Sequence, residues 1–218
     1  MPVEKSTKET VVLVHGLWMR GWVMTLLGLR LQRYGFHTIV FSYPSMSNSL
    51  SQNALFLSNF VTDIAAPHIH FIGHSLGGLL VMQMLAEYPE PRAGRIVLAG
   101  SPCHASYVAS KLARMGLGRY LIGRGMLQCL RQKVPECADR YEVGSIAGCK
   151  SLGGGRLFGG LPSPNDGVVA VEETRMPGTS DQIVLNVSHS GMLLSTSVAH
   201  QVYMFLRHGY FLHNPGSS

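Results

Sequence analysis

The chain has 218 residues, is 46% hydrophobic and only 14% charged, and carries a formal charge of +6. That balance excludes a disordered chain, which combines low hydrophobicity with dense charge, and the length suits one sizeable core rather than two. A single domain over residues 1–218 is expected, with no run approaching the roughly 18 apolar residues that span a bilayer.

In chain order, short apolar and β-branched runs at 10–15 (TVVLVH), 37–42 (HTIVFS), 68–72 (HIHFI), 95–99 (RIVLA), 141–147 and 182–187 (QIVLNV) read as strands. Between them, residues 22–34, 50–65, 76–88 and 195–208 carry apolar side chains at helical spacing. Strand and helix in alternation imply right-handed crossovers, so the expected fold class is α/β, a mainly parallel sheet of about six strands flanked by helices. Residues 101–132 interrupt the pattern with Leu, Met and Tyr interleaved with glycines, and read as one or two short helices inserted after the fourth strand. A Gly/Pro-rich loop follows near 153–164.

The polar start MPVEKSTKET lacks the basic-then-apolar order of a secretory leader. Cys103, Cys129, Cys137 and Cys149 show neither a C-x-x-C pair nor zinc-type spacing, so no metal site is expected; their clustering permits a disulfide, and buried thiols in a reducing compartment are the preferred reading. These features point to the cytoplasm, as does the sequon Asn186-Val187-Ser188, where a glycan would crowd the site described next.

The stretch Gly73-His74-Ser75-Leu76-Gly77 lies where a strand should turn sharply into a helix. Such an elbow forces its central residue into a strained conformation and tolerates only small neighbours at Gly73 and Gly77, while His74 is carried as an elbow residue. Ser75 would then project at a helix N-terminus, which favours developing negative charge. A serine nucleophile needs a general base, and the base an orienting carboxylate. His189 is chosen because it leaves the last strand at the same sheet edge as Ser75, whereas His200 and His208 fall in a helix and His213 in the tail. Asp166, in Pro164-Asn165-Asp166-Gly167, follows the fifth strand; Asp139 and Asp181 precede strands and so sit at the opposite edge, and Glu172 and Glu173 lie farther along. Backbone amides of Leu76 and of Leu17, in the loop His15-Gly16-Leu17-Trp18, are the expected oxyanion donors.

Together VVLVHGLW (11–18), GHSLGG (73–78), NDGVV (165–169) and SHSGML (188–193) resemble the α/β-hydrolase superfamily, and within it compact bacterial lipase and esterase members. The resemblance runs in family order over nearly the whole chain and implies an acyl-enzyme mechanism without metal or organic cofactor. It also implies that the sheet begins at the strand usually third in the fold. The expected function is hydrolysis of a carboxylic ester; thioesterase or acyltransferase chemistry on the same triad, and a non-catalytic binding module, are the alternatives. Residues 101–140 would form a cap or lid, with Trp18, Tyr107, Leu112 and Met115 contacting substrate. Between 91 and 135 there is no Asp or Glu, while Arg92, Arg95, Lys111, Arg114, Arg119, Arg124, Arg131 and Lys133 are basic. That segment is expected to face an anionic lipid surface or an anionic substrate such as an acyl-CoA. Basicity without a motif gives no ground for nucleic-acid binding.

Overall fold

The computed structural model describes residues 9–103, 106–114, 118–131, 138–152 and 161–213. Six strands, β1 (Thr10–Val14), β2 (His37–Phe41), β3 (Ile69–His74), β4 (Ala93–Ala99), β5 (Val143–Gly148) and β6 (Asp181–Leu185), form one sheet in the order β2-β1-β3-β4-β5-β6. Every neighbouring pair is parallel. The helices are α1 (Thr25–Arg33), α2 (Leu50–Thr62), α3 (Leu76–Glu87), α4 (Tyr107–Arg114), α5 (Gly118–Arg131) and α6 (Thr196–His208). Strand-length apolar runs thus became strands within a residue or two of the expected limits, and the insertion after the fourth strand became α4 and α5.

Two apolar cores follow from the period of two along each strand. Val12, Val14, Phe71, Ile96 and Leu98 face one side, packed with α2, α3 and the described parts of α4 and α5. Their alternates Val11, Leu13, Ile72, Val97 and Ile146 face the other side, packed with α1 and α6. Coverage of both faces explains why the strands read as continuous apolar runs.

Helix ends are marked by local chemistry. Ser49 and Gln52 form a reciprocal capping box at the start of α2, and Gly209, at φ 81°, closes α6 in the left-handed conformation. Among the described residues, no helix is long and apolar enough to cross a membrane.

The sheet reverses its winding between β1 and β3: the chain goes outward to β2, then returns past β1 to add β3, β4, β5 and β6 in turn. Adjacent strands at such a point send their following loops in opposite directions, which opens a crevice at the carboxyl edge. The loops after β1 and β3 border that crevice, and those after β5 and β6 reach the same edge.

Candidate active site

Ser75 is strained, as the elbow requires, with φ 54° and ψ −123°. Its amide continues the β3–β4 ladder by donating to the Ala99 carbonyl at 3.0 Å, after which the chain turns at once into α3. Glycines make the turn feasible. A Cβ on Gly73 would meet the Gly78 Cα at 2.3 Å, and one on Gly77 would meet the carbonyl oxygens of His15 and Val14, each at 2.4 Å. The Leu76 amide opens α3, where the first four N–H groups have no partner within the helix.

His189 Nδ1 donates to Asp166 Oδ2 at 2.7 Å, and both residues are buried. A second bond runs from the His189 amide to the Asp166 carbonyl at 3.0 Å. Asp166 is itself fixed by its turn, because Oδ1 accepts the amides of Val168 and Val169 at 2.9 and 2.7 Å. The loops holding the two residues can approach because β5 ends in Gly148, where a Cβ would lie 2.4 Å from the Val187 carbonyl oxygen and 2.8 Å from the Asp166 Cβ. With the carboxylate on Nδ1–H, the other ring nitrogen, Nε2, is left as the basic one.

Two further histidines frame the serine. His74, fully buried, donates from Nε2 to the His189 carbonyl at 3.0 Å, and its ring stands 4.7 Å from the His189 ring. Burial, then the neighbouring His189, pushes its pKa down to about 3, so it is neutral at physiological pH. His15 donates from Nδ1 to the Gly16 carbonyl at 2.9 Å and accepts the Tyr43 amide on Nε2 at 3.2 Å. It shapes the loop that carries Leu17, and burial lowers its pKa too. Burial also pushes the Cys103 and Cys129 thiols up to about 12, which leaves them un-ionised and poor nucleophiles.

Ser75 and His189 open into one cavity of about 240 Å³. Leu17, Trp18, Met19, Pro102, Val108, Ala109, Leu112, Ile122, Met126, Val168 and Val169 line it, with Ser106 and Ser190 at its polar points. Trp18 and Leu112 are among these lining residues. Tyr107 is not among the lining residues: Val108, Ala109 and Leu112 present one face of α4, and Tyr107, about 100° round the helix from Val108, packs into the core instead. Met115 lies outside the described residues. Arg92 pairs with Glu90 and reaches the carbonyls of Val61 and Ile64, and Arg95 pairs with Glu142. Both stand towards the start of β4, at the sheet edge opposite Ser75.

A model of the alpha/beta hydrolase family matches residues 11–200. The chain belongs to that family. A pimeloyl-[acyl-carrier protein] methyl ester esterase of Aeromonas hydrophila subsp. hydrophila is 31% identical over 99 residues, covering 43% of this chain and 38% of that protein. Among solved structures, a Bacillus licheniformis lipase in its propeptide form superposes with a TM-score of 0.74 at 17% identity, covering all of this chain and 53% of that one. A lipase-esterase related protein from Clostridium acetobutylicum gives 0.66 at 13% identity over 94% of this chain and 95% of that one. The alpha/beta hydrolase described here thus spans about half of the lipase it superposes on, and the matched stretch is well under half of the esterase.

Two residues of this alpha/beta hydrolase went unread in the sequence. His74 appears there only as an elbow residue, yet its ring holds the His189 backbone. Glu173, passed over as a carboxylate rival to Asp166, is buried and accepts the amides of Ala170, at 2.7 Å, and Tyr107. It ties the Asp166 loop to the start of α4. The one available signal was its position three residues after Ala170, the spacing at which a carboxylate reaches back to an amide.

Proposed function

We propose that this chain is a serine hydrolase of carboxylic esters acting through Ser75, His189 and Asp166. The observation that carries the reading is the 2.7 Å bond between His189 Nδ1 and Asp166 Oδ2, on a histidine that shares its cavity with the strained Ser75. Ser75 Oγ attacks the acyl carbonyl carbon while its proton passes to His189 Nε2. Asp166 holds the imidazole in the required tautomer and stabilises the imidazolium. The oxyanion that forms is met by the amides of Leu76 and Leu17, a donor of this kind being worth about 10²–10³ in rate. Collapse breaks the C–O bond, and the leaving alkoxide takes the proton from His189. Water then attacks the acyl-enzyme with His189 again as base, releasing the acid and restoring Ser75.

The lining chemistry narrows the acyl group. At about 240 Å³ the cavity is smaller than the roughly 300–1,000 Å³ typical of drug-sized ligands, and its walls are almost wholly apolar. Short, uncharged acyl groups suit it best, with α4 and α5 acting as the cap. The ester chemistry in the name of the Aeromonas relative supports the reaction class, and the substrate in that name stays with that protein.

A panel of oxygen esters and thioesters of graded acyl length, with alcohol acceptors, tests the reading against thioesterase and acyltransferase chemistry. Wild type should hydrolyse short oxygen esters and be labelled by a fluorophosphonate. Ser75→Ala should lose both properties and keep its fold. Undiminished hydrolysis in that variant would overturn the proposal.

A further inference from the structure

We propose that the outer face running from Trp18 along α1 docks on an anionic lipid bilayer. Trp18, Trp22, Leu26 and Leu29 are 61%, 75%, 37% and 50% exposed, whereas Met24 and Leu27 between them and Leu31 just beyond are fully buried. Trp22, Leu26 and Leu29, at spacings of four and three, share one side of the short helical turn Gly21–Met24 and α1, and Trp18 sits in the turn just before them. Leu194, 62% exposed, extends the patch from the short turn Ser190–Leu194, which packs against α1. Both tryptophans of the chain stand on this face.

Exposed apolar side chains in a contiguous row mark an interaction site, and tryptophan is the residue best suited to the boundary between hydrocarbon and water. Charge selects the occupant. Neither segment that carries the face, 10–62 or 182–213, contains an Asp or Glu, and Arg20 and Arg33 beside the apolar row are exposed. A cationic rim around an apolar stripe complements anionic headgroups over acyl chains. A second copy fits poorly, because isologous pairing would set each arginine-flanked face against its own like charges. Trp18 belongs to both the face and the cavity lining, so docking brings the cavity mouth to the lipid surface. The inference concerns this surface and stands apart from the chemistry at Ser75.

The two tryptophans make the test direct. Full chain is titrated at low salt with phosphatidylcholine/phosphatidylglycerol vesicles, with phosphatidylcholine vesicles, and with soluble polyglutamate, following tryptophan emission. The expected result is a blue shift, quenched by brominated lipid, with the mixed vesicles alone, weakening as salt rises. Leu26→Ser/Leu29→Ser, which keeps both tryptophans, should lose about tenfold or more in partitioning. Unchanged emission with the anionic vesicles, equal partitioning of the double variant, an equal shift with polyglutamate, or a vesicle-free shift that grows with protein concentration overturns it. Fluorophosphonate labelling in the same samples separates the two readings: labelling without vesicle binding defeats docking alone, and vesicle binding without labelling defeats the hydrolase reading alone.

Discussion

The His74 ring and the His189 backbone are joined by one hydrogen bond, from Nε2–H of the first to the carbonyl of the second at 3.0 Å, across 115 residues of sequence. The residue preceding the elbow serine therefore holds the loop that carries the proposed base. Removing the ring should let that loop drift. Displacement of a reacting group by about 1 Å can cost on the order of 10²-fold in rate, so His74→Ala should lower kcat by about that factor with KM less affected. His74→Gln, whose amide can donate to the same carbonyl, should recover part of the loss. Steady-state kinetics on one short ester decide the matter, and equal kcat in His74→Ala and wild type would remove His74 from this role.

His74 also makes a prediction about acid. Its folded pKa of about 3 lies below the ordinary 6.5, and burial lowers His15 and His70 in the same direction. Above pH 6.5 folded and unfolded chains are both neutral at His74 and stability is full. As pH falls from 6.5 towards 3 the unfolded chain binds a proton that the folded one refuses, so stability is lost at up to about 1.4 kcal/mol per pH unit for this residue. Urea unfolding at stepwise lower pH should show the decline, and His74→Gln should show a slope smaller by about one proton. A variant slope matching wild type would contradict the assignment.

Asp166→Asn should be nearly silent in stability and severe in rate. Asn can keep its carbonyl on the amides of Val168 and Val169, which now bond to Asp166 Oδ1. Its NH₂ then faces His189 Nδ1 and can only donate, which moves the imidazole proton to Nε2, where the base is needed. The expected loss in kcat is about 10⁴, the size found when a triad tautomer is inverted in this way. A loss under about tenfold would mean that the carboxylate does not set the tautomer.

Ser75 holds a backbone conformation that L-residues rarely adopt, at φ 54°. Strain of this sort costs about 1–3 kcal/mol, and glycine escapes it while forfeiting about 0.4–1 kcal/mol through its freer unfolded chain. Ser75→Gly should therefore be inactive yet more stable than Ser75→Ala by about 1 kcal/mol, read from denaturant midpoints at equal slope. Ser75→Ala keeps a Cβ, and hence the strain, so it is the proper reference.

Most of the fold was legible because both core faces write themselves into the strands, and because strand polarity assigns each loop to one sheet edge. The candidates Ser75, His189 and Asp166 rest on that logic together with the G-x-S-x-G pattern at 73–77 and the acid-then-histidine chain order. What escaped reading were contacts that link distant loops through buried polar groups. Nothing local to His74 says that its ring will meet the carbonyl of residue 189. Likewise, Leu112 and Tyr107 look equally suited to an apolar pocket until the helical phase of α4 is fixed by its packing, which turns one in and the other away.

Glu173 offers the sharpest case of such a hidden link. Its carboxylate accepts the amide of Ala170, beside the Asp166 turn, and that of Tyr107, the first residue of α4, 66 residues away. The α4 face carrying Val108, Ala109 and Leu112 is a cavity wall, so the carboxylate couples the wall to the acid loop. Glu173→Ala removes the acceptor of two amides and should cost about 1–3 kcal/mol or more. If α4 then shifts, KM for bulky acyl esters should rise more than KM for acetyl esters, while kcat for the acetyl ester changes little. Glu173→Gln, with one acceptor oxygen, should fall between. Burial raises the Glu173 carboxyl above its ordinary 4.5, ahead of the two amides that lower it. Its contribution is thus full below the ordinary value and shrinks as pH rises through the folded one, a dependence that Glu173→Gln should abolish. Denaturation midpoints across that range, set beside KM values for the two ester sizes, check both halves; parallel pH curves for wild type and Glu173→Gln, with KM equal for both esters in Glu173→Ala, would leave the strut without support.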